Sequence, residues 1–411
     1  MLPLPLWLSR PPADAPALIL PGRTLSYGEV RAWPETTGLL LPKGAAPETA
    51  LMLLAAGLGG GTVFPLPPGL PEAHRRHLQT LAEAESHPRL ALIVATSGSE
   101  GAPKGVKLPW RAVAAAARLG ARSGRLGPGD VWLACLPLHH IGGLMIPYRC
   151  WRAGAAALIH DGFDAVAILR DLHERQVSHV SLVPAMLARL VDSDERPPAT
   201  LRYALVGGAA LPPELFRRAV DLGWPVCPTY GMSETCSSVA VWPRPGKAEW
   251  TAGAVGQPLP GVRMEAGETL RIASPARMAG YLGGAPCGRW IETRDLGRID
   301  ASGGVHVLGR ADDMLVSAGV KVHPLEVEER LAACPGVREA GVAGLGDPMW
   351  GQLIAAAYEG EAEAVQVEMW CRENLAGSRR PRLFRRVPSL PRTASGKLDR
   401  RALATLLEDA A

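Results

Sequence analysis

The chain has few of the features that mark secreted, membrane or nucleic-acid-binding proteins. Its seven cysteines are scattered and never form a C-x-x-C pair, which argues against a disulfide framework or a structural zinc site and favours a reduced, cytoplasmic compartment. No uninterrupted apolar run reaches the ~20 residues that a membrane span needs. The apolar N-terminus lacks a basic region and is interrupted by prolines, so we do not expect a signal peptide. With 44 basic against 40 acidic residues and no basic run, the charge gives no reason to expect a nucleic-acid or anionic-membrane partner.

Aromatic residues are also scarce, at 5%, whereas glycine and proline number 46 and 38. This composition predicts many sharp turns. The 411 residues, 47% of them apolar, allow two or three domains with packed cores at very roughly 150 residues each.

Short apolar runs alternate with helical stretches between residues 88 and 221. Strands are predicted at 90–96, 131–135, 155–160, 179–183 and 203–206, and helices at 109–119, 164–174, 184–191 and 212–221. Such alternation is typical of a largely parallel, helix-covered sheet. Two earlier strands are expected at 17–20 and 62–66.

The pattern changes after residue 250. Hairpins are predicted at 262–274 and 299–308, and a helix begins at Pro324. Strands at 340–342 and 353–358 follow, and then helices around 367–375 and 403–407. We therefore predict a boundary near 309–313 and a C-terminal α+β unit of about 100 residues.

The first chemical motif is the segment LIVATSGSEGAPKGV at residues 92–106. Small hydroxyls, exposed backbone N–H groups and a cation are what a polyphosphate requires. The segment is not a Walker A loop, because Pro103 and Gly105 replace its glycine and hydroxyl residue, and Ser97 excludes a G-x-S-x-G nucleophile elbow. Alone, it is equally well read as a flexible strand-to-helix turn.

Six further motifs follow in order along the chain. They are LPLHHIGG at 136–143, LVGGAA at 205–210, TYGMSET at 229–235, TRDLG at 293–297, GRADD at 309–313 and PRTASGK at 391–397. Together the seven motifs resemble the acyl-adenylate-forming superfamily, which comprises acyl-CoA synthetases, adenylation domains of peptide synthetases and luciferases. Segments 136–153, 181–190, 254–261 and 289–300 are most similar to the 2-succinylbenzoate–CoA ligases of menaquinone synthesis.

The resemblance implies an α/β fold with a large adenylation domain at 1–309, whose N-terminal part is shortened. A hinge at 310–313, centred on Asp312, and a small mobile α+β lid at 314–411 would follow. It also implies the substrates ATP and CoA with Mg²⁺. A carboxylic acid is first converted to an acyl-AMP, and CoA then attacks this anhydride after the lid turns. The loop 317–321 is our candidate for the face presented in the second step.

The family motifs assign nucleotide-binding roles to matching residues here. Lys104 and the loop residues Thr96, Ser97, Gly98 and Ser99 would hold the β- and γ-phosphates, although Glu100 stands where the family has Thr or Ser. Adenine would lie against Gly207, Gly208 and Ala209 and stack on Tyr230, with Thr229, Gly231 and Ser233 beside it. Glu234 would hold Mg²⁺, while Asp295 and Arg310 would contact ribose. Lys397 would bridge the acid and the α-phosphate. Structural roles, such as a packed aromatic or an ion pair, remain the alternatives.

Three residues bear on the acid. By the resemblance His140 lines the acyl pocket, and a metal site at His139 and His140 is disfavoured because no third ligand has a recognisable spacing. Arg149 and Arg189 suit a dicarboxylate, since arginine grips a planar carboxylate bidentately and an unpaired buried charge is costly. Both could instead be structural surface arginines.

Four activities thus follow from the sequence in decreasing order. The first is a 2-succinylbenzoate–CoA ligase. An aryl-CoA ligase of the benzoate or anthranilate type, a stand-alone adenylation enzyme that loads a carrier protein, and a non-catalytic nucleotide-binding relic are the alternatives.

Overall fold

The computed structural model describes residues 7–96, 103–393 and 398–409. The first elements are β1 (Pro16–Leu20), β2 (Arg23–Ser26), α1 (Tyr27–Arg31), β3 (Leu39–Leu40), α2 (Ala46–Gly59), β4 (Thr62–Val63), α3 (Glu72–Glu85), β5 (Leu90–Thr96), β6 (Lys104–Pro109) and α4 (Trp110–Ser123). They are followed by β7 (Val131–Ala134), α5 (Ile141–Ala153), β8 (Ala156–Ile159), α6 (Ala165–Glu174), β9 (His179–Leu182), α7 (Pro184–Val191), β10 (Tyr203–Val206), α8 (Pro213–Asp221), β11 (Val226–Met232) and β12 (Ser237–Val241).

The remaining elements complete a hairpin-rich part and a C-terminal α+β part. They are β13 (Ala254–Pro258), β14 (Arg263–Ala266), β15 (Leu270–Ala273), β16 (Gly280–Tyr281), β17 (Ile291–Glu292), β18 (Asp295–Ile299), β19 (Val305–Arg310), β20 (Leu315–Ser317), β21 (Val320–Val322), α9 (Pro324–Ala332), β22 (Val337–Asp347), β23 (Gly351–Gly360), α10 (Ala364–Asn374), β24 (Leu383–Arg386) and α11 (Arg400–Glu408). Single 3₁₀ turns lie at Ser233–Thr235, Ala311–Asp313 and Gly377–Arg379.

The large sheet has eleven strands in the order β18-β19-β13-β12-β11-β10-β9-β7-β8-β1-β2. Its central strands, from β1 to β11, are parallel, whereas both ends are antiparallel. The predicted α/β class and the predicted hairpins β14–β15 and β18–β19 are confirmed. Because the parallel strands end at one edge of the sheet, the loops after β7, β9 and β10 lie side by side there.

Helices cover both faces of this sheet. Alternate residues of β7 belong to different cores: Trp132 packs in the core beneath α4 and α5, and Leu133 packs in the core beneath α6, α7 and α8. Since successive side chains of a strand point to opposite faces, the two helix layers lie on opposite sides of the sheet.

The segment at 92–106 differs from the sequence prediction. Lys104, which the sequence places in a loop before the helix predicted at 109–119, begins the strand β6. This strand returns antiparallel to β5 in a second sheet of order β16-β6-β5-β4-β3. The buried residues of β6 pair with those of β5, which is apolar except for Thr96, and this pairing forms a strand that the sequence did not predict. The helix α4 begins only at Trp110, so its N-terminus does not follow the loop directly.

The C-terminal part has a core of its own, built by β22, β23, α9 and α10. Its two long strands pair antiparallel over ten pairs of residues, from Val337 with Gly360 to Asp347 with Gly351. The sequence predicts only the apolar centre of each strand, because the ends contain glycines and charges that strand pairing tolerates.

Candidate functional site

One short segment, residues 229–238, contacts three separate groups of predicted site residues. It comprises the end of β11, the turn Ser233–Thr235 and the start of β12. Two successive non-glycine residues in it, Cys236 and Ser237, have φ values of 55° and 92°. Such backbone costs on the order of 1–3 kcal/mol per residue and persists only where the surroundings enforce it. Here the Thr235 hydroxyl donates to the carbonyl of Ser237 at 2.9 Å.

The first group joins Tyr230 and Asp295. The Tyr230 hydroxyl donates to Asp295 Oδ2 at 2.5 Å, and Arg310 Nη1 lies 3.9 Å from Asp295 Oδ1. Burial and the Asp295 charge raise the pKa of Tyr230 well above its usual value, so it remains a donor at neutral pH. The backbone N–H of Asp295 donates to the Thr293 hydroxyl, which fixes the start of β18. A carboxylate and a cation thus face the same aromatic edge, and their contact with ribose stays a prediction.

The second group joins Glu234, Tyr281 and Lys104. The Tyr281 hydroxyl donates to Glu234 Oε1 at 2.9 Å, and Lys104 Nζ lies 5.8 Å from the centre of the Tyr281 ring. Burial and the Glu234 charge raise the pKa of Tyr281. Tyr281 was not predicted as a site residue. Its only sequence signal is that it stands among small and apolar residues in the segment AGYLGG. Pairing of β16 with β6 brings it opposite Val106, beside the start of the strand that contains Lys104.

Two glycines, Gly207 and Gly208, follow the end of β10 and leave the backbone there free of side chains. A Cβ atom on Gly207 would lie 2.6 Å from Thr229 Cγ2, and Gly208 has φ +83°. Any side chain at position 207 would therefore push β10 away from β11, and Gly208, Ala209 and their backbone stay exposed. The Thr229 hydroxyl donates to the carbonyl of Ala240 at 2.9 Å, which is a structural role. Gly231 admits no side chain either, because a Cβ would lie 2.2 Å from the carbonyl of Ser237.

Some predicted residues lie outside the described part of the chain. They are Ser97, Gly98, Ser99, Glu100 and Lys397. The neighbouring Thr96 ends β5, and its hydroxyl lies 3.4 Å from the carbonyl of Lys104. Ser233 begins the 3₁₀ turn and is half-buried.

The third group surrounds Arg149, which projects from α5 into the core and is 2% exposed. Its Nη2 donates to the Ser237 hydroxyl at 2.9 Å, and its guanidinium stacks over Trp132 at 5.3 Å. Nε and Nη1 are buried without a hydrogen-bond partner among the described residues. Burial lowers the pKa of this guanidinium, as expected for a desolvated cation without a counter-ion. His140 is the N-cap residue of the same helix and lies half-buried at the carboxyl edge of the sheet.

Arg189 is not brought together with Arg149. It lies exposed on α7, in the helix layer on the other face of the sheet, and its guanidinium stacks on Phe163 at 5.0 Å. The sequence suggested a pair because arginines suit a dicarboxylate substrate. The alternation of side chains across that sheet, which the sequence spacing does not reveal, separates them.

The predicted hinge residue Asp312 lies in the turn Ala311–Asp313. Its Oδ2 accepts hydrogen bonds from Arg294 at 3.2 Å and from Arg310 at 3.1 Å. The next residue, Asp313, contacts Arg400 of the C-terminal part instead. Neighbouring carboxylates at the boundary thus bind to opposite parts of the molecule.

The Glu234 carboxylate suits Mg²⁺ better than a transition metal. The described residues contain no group of three histidine, cysteine or acidic side chains that could form a dedicated metal cage. Magnesium in nucleotide enzymes needs no such cage, since it keeps several waters and takes one or two carboxylates plus substrate phosphates. A half-buried carboxylate oriented by one tyrosine hydroxyl fits that requirement.

No helix among residues 7–96, 103–393 and 398–409 is long and apolar enough to cross a bilayer.

Comparison with known proteins shows which family the sequence and the fold match. Residues 67–271 match the model of the AMP-binding enzyme family, and residues 326–397 match that of the AMP-binding enzyme C-terminal domain. The 2-succinylbenzoate–CoA ligase of Bacillus licheniformis is 35% identical over 337 residues, which cover 76% of this chain and 69% of that protein.

Solved structures of the o-succinylbenzoate CoA synthetase from Bacillus subtilis share the fold. The complex with the acyl-adenylate intermediate superposes with a TM-score of 0.84 at 26% identity and covers 95% of each chain. The complex with ATP and magnesium ion gives 0.82 at 26% identity and covers 96% of this chain and 97% of that one. By its family models, its relatives and its fold, the chain belongs to the AMP-binding enzyme family, the acyl-adenylate-forming superfamily.

Proposed function

We propose that the chain is an ATP-dependent acid–CoA ligase that converts 2-succinylbenzoate to 2-succinylbenzoyl-CoA. The observation that supports it most is the buried guanidinium of Arg149, with two nitrogens that lack partners in the described structure. An aryl acid without a second carboxylate would leave this charge unpaired, which is costly in a desolvated core. Relatives such as the Bacillus licheniformis protein bear the name of this activity.

In the first half-reaction the acid's carboxylate oxygen attacks the α-phosphorus of ATP. The new P–O bond forms as the bond to pyrophosphate breaks, and the product is an acyl-AMP. Lys104 would hold the outer phosphates, and Tyr230 with Asp295 would position the nucleoside. Mg²⁺, held by Glu234, would offset the phosphate charge. Catalysis here consists of positioning and charge stabilisation.

In the second half-reaction the CoA thiol attacks the acyl carbon and transfers its proton to solvent, while AMP leaves. The C-terminal part would turn about Asp312 between the two steps and present the loop 317–321. That segment includes the turn of the hairpin β20–β21, and the hairpin residues Val316 and Val320 are exposed. An apolar, solvent-facing hairpin suits a surface that packs against another face during part of the cycle.

The direct test is pyrophosphate release with a panel of acids, followed by thioester formation with CoA. We expect 2-succinylbenzoate to be preferred over benzoate, anthranilate and aliphatic acids. A preference for benzoate would favour the aryl-CoA ligase. Acyl-AMP formation without transfer to CoA would favour a carrier-loading enzyme. Absence of pyrophosphate release with every acid would refute the proposal.

Tyr281→Phe should lower the rate of acyl-AMP formation about 10-fold, because it removes the hydroxyl that orients Glu234 but keeps the ring beneath Lys104. The Mg²⁺ concentration for half-maximal rate should rise as well. Steady-state pyrophosphate release at a series of Mg²⁺ concentrations measures both. Tyr358→Phe, whose hydroxyl binds the carbonyl of Ala362 in the C-terminal core, is the matched control and should leave the Mg²⁺ dependence unchanged.

Asp312→Pro should let acyl-AMP accumulate while transfer to CoA collapses, because proline fixes φ near roughly −65° and a hinge must change its backbone angles. Quenched-flow separation of the two half-reactions checks this. Asp312→Ala removes the contacts with Arg294 and Arg310 but leaves the backbone free, so it should keep both half-reactions. Equal loss of both half-reactions in the proline variant would refute a hinge at this position.

A further inference from the structure

The guanidinium of Arg149 lies in a socket formed by three elements of the large part. The helix α4 contributes Gly120, the strand β7 contributes Trp132, and the strand β12 contributes Ser237. All three residues are buried, and the Ser237 hydroxyl accepts a hydrogen bond from Arg149 Nη2 at 2.9 Å. Packed protein around the guanidinium, and not solvent, therefore sets its orientation.

Gly120 brings the backbone of α4 against this guanidinium. A Cβ atom at position 120 would lie 2.9 Å from Arg149 Cδ and 3.2 Å from its Cζ, and closer still to Nε. These are the three nearest atoms, and all belong to the end of one flexible side chain. Glycine is a poor helix former, and the room that Arg149 needs gives a reason for glycine within α4.

Trp132 bounds another side of the guanidinium. Arg149 Cζ lies 5.3 Å from the centre of the indole ring, a cation–π contact. The indole Nε1 donates to the Ser181 hydroxyl at 3.1 Å. The rings of His179 and Tyr203 pack against the indole at centroid distances of 5.1 and 5.8 Å. The indole is thus held in place by a hydrogen bond and by two rings, and it gives Arg149 a fixed surface to stack on.

We propose that Gly120 is a positioning residue that sets acid specificity through Arg149. This inference rests on the proposed function, in which Arg149 binds the second carboxylate of the acid. Since Nη2 is bonded to Ser237 and Nε lies against α4, Nη1 is the nitrogen that binds this carboxylate. A methyl group at position 120 displaces the guanidinium but keeps its charge, so the chain then no longer distinguishes acids by their second carboxylate.

The test compares two acids in Gly120→Ala: 2-succinylbenzoate and 4-oxo-4-phenylbutyrate, which lacks the ring carboxylate. We expect kcat/KM for succinylbenzoate to fall about 10²-fold, since a misplacement of about 1 Å has effects of that order. The loss should appear mainly in KM, because the displaced group binds a carboxylate that does not react. For 4-oxo-4-phenylbutyrate, kcat/KM should stay within about threefold of wild type.

Gly127→Ala is the matched control, because a Cβ atom there would meet no atom within 4 Å, and it should change kcat/KM for neither acid. The double variant Gly120→Ala/Arg149→Leu tests whether Gly120 acts through Arg149. If it does, Gly120→Ala causes no further loss of acid preference once Arg149 is replaced. Additive effects of the two substitutions, an unchanged preference in Gly120→Ala, or equal losses with both acids would overturn the proposal.

Unfolding by denaturant gives a readout that needs no activity. Alanine is the better helix former, but beside Arg149 its methyl group must displace a packed side chain. Gly120→Ala should therefore be less favourable for stability in wild type than in the Arg149→Leu background, and equal changes in both would overturn the contact. If wild type released no pyrophosphate with any acid, the proposed function itself would fail. An active Gly120→Ala enzyme with unchanged acid preference would overturn only the role of Gly120.

Discussion

Replacement of Lys397 by alanine should lower acyl-AMP formation by about 10²–10³-fold. A cation between the acid and the α-phosphate offsets the charge that gathers as the new bond forms, and removal of one such stabilising group typically has this effect. The thioester half-reaction involves no attack on phosphorus, so supplied acyl-AMP and CoA should react at near the wild-type rate. Pyrophosphate release and single-turnover thioester formation measure the two steps.

Lys43→Ala, at an exposed lysine before α2, controls for the loss of a surface cation and should leave both steps unchanged. The assignment of Lys397 fails if the alanine variant converts supplied acyl-AMP as poorly as it converts ATP and acid. It also fails if both rates match wild type. Reduced stability of the variant would lower both steps together and is checked by its thermal unfolding.

Arg149→Leu should cost about 10²–10³-fold in kcat/KM for 2-succinylbenzoate, because the aromatic carboxylate then loses its buried partner. Arg189→Leu should cost less, about 5-fold at most, since an exposed guanidinium is screened by water and contributes about 1 kcal/mol or less. We expect the aliphatic carboxylate to be the one activated. The diagnostic comparison is 4-oxo-4-phenylbutyrate, which keeps the keto acid but lacks the ring carboxylate. Wild type should strongly prefer succinylbenzoate, and Arg149→Leu should lose most of that preference.

Stability measurements separate binding from folding at this position. Replacement of an unpaired buried charge by an apolar side chain is often neutral or stabilising, so Arg149→Met should unfold at a similar or higher denaturant concentration than wild type. A variant that stays folded yet loses discrimination between the two acids supports a substrate contact. If Arg149→Leu and Arg189→Leu both keep the wild-type preference, neither arginine recognises the carboxylate, and the aryl-CoA ligase becomes the better proposal.

The chain order of elements could be predicted because their signals are local. The strand predicted at 203–206 coincides with β10, and the helix predicted at 184–191 coincides with α7. The strand β6, which begins at Lys104, was not predicted because it is formed by pairing with β5 and not by its own sequence, which contains glycine and proline. In such a segment, tertiary contacts outweigh the low intrinsic strand propensity of the residues.

Sequence motifs could identify individual residues of the candidate site. They could not predict which of these residues contact each other, because packing between distant segments decides that. The contact between Tyr230 and Asp295 joins two predicted residues 65 positions apart. Tyr281 was missed because nothing in its neighbourhood marks a functional hydroxyl, and the pairing of a two-residue strand brings it to Glu234. The separation of Arg149 from Arg189 depends on which face of the sheet each helix covers, and that depends on long-range packing.

The segment 229–238 bonds to Asp295 through Tyr230, to Tyr281 through Glu234 and to Arg149 through Ser237. In the proposed site these three contacts serve the nucleoside, the phosphates and the acid. Under that proposal, three ligand-binding regions share one short, strained stretch of backbone. Displacement of that stretch by one ligand changes the free energy with which the others bind, and thermodynamic linkage makes the effect equal in both directions. If bound acid changes the affinity for ATP by some factor, bound ATP changes the affinity for the acid by the same factor. Substitutions chosen to change acid preference at Ser237 will thus also shift the dissociation constant for ATP.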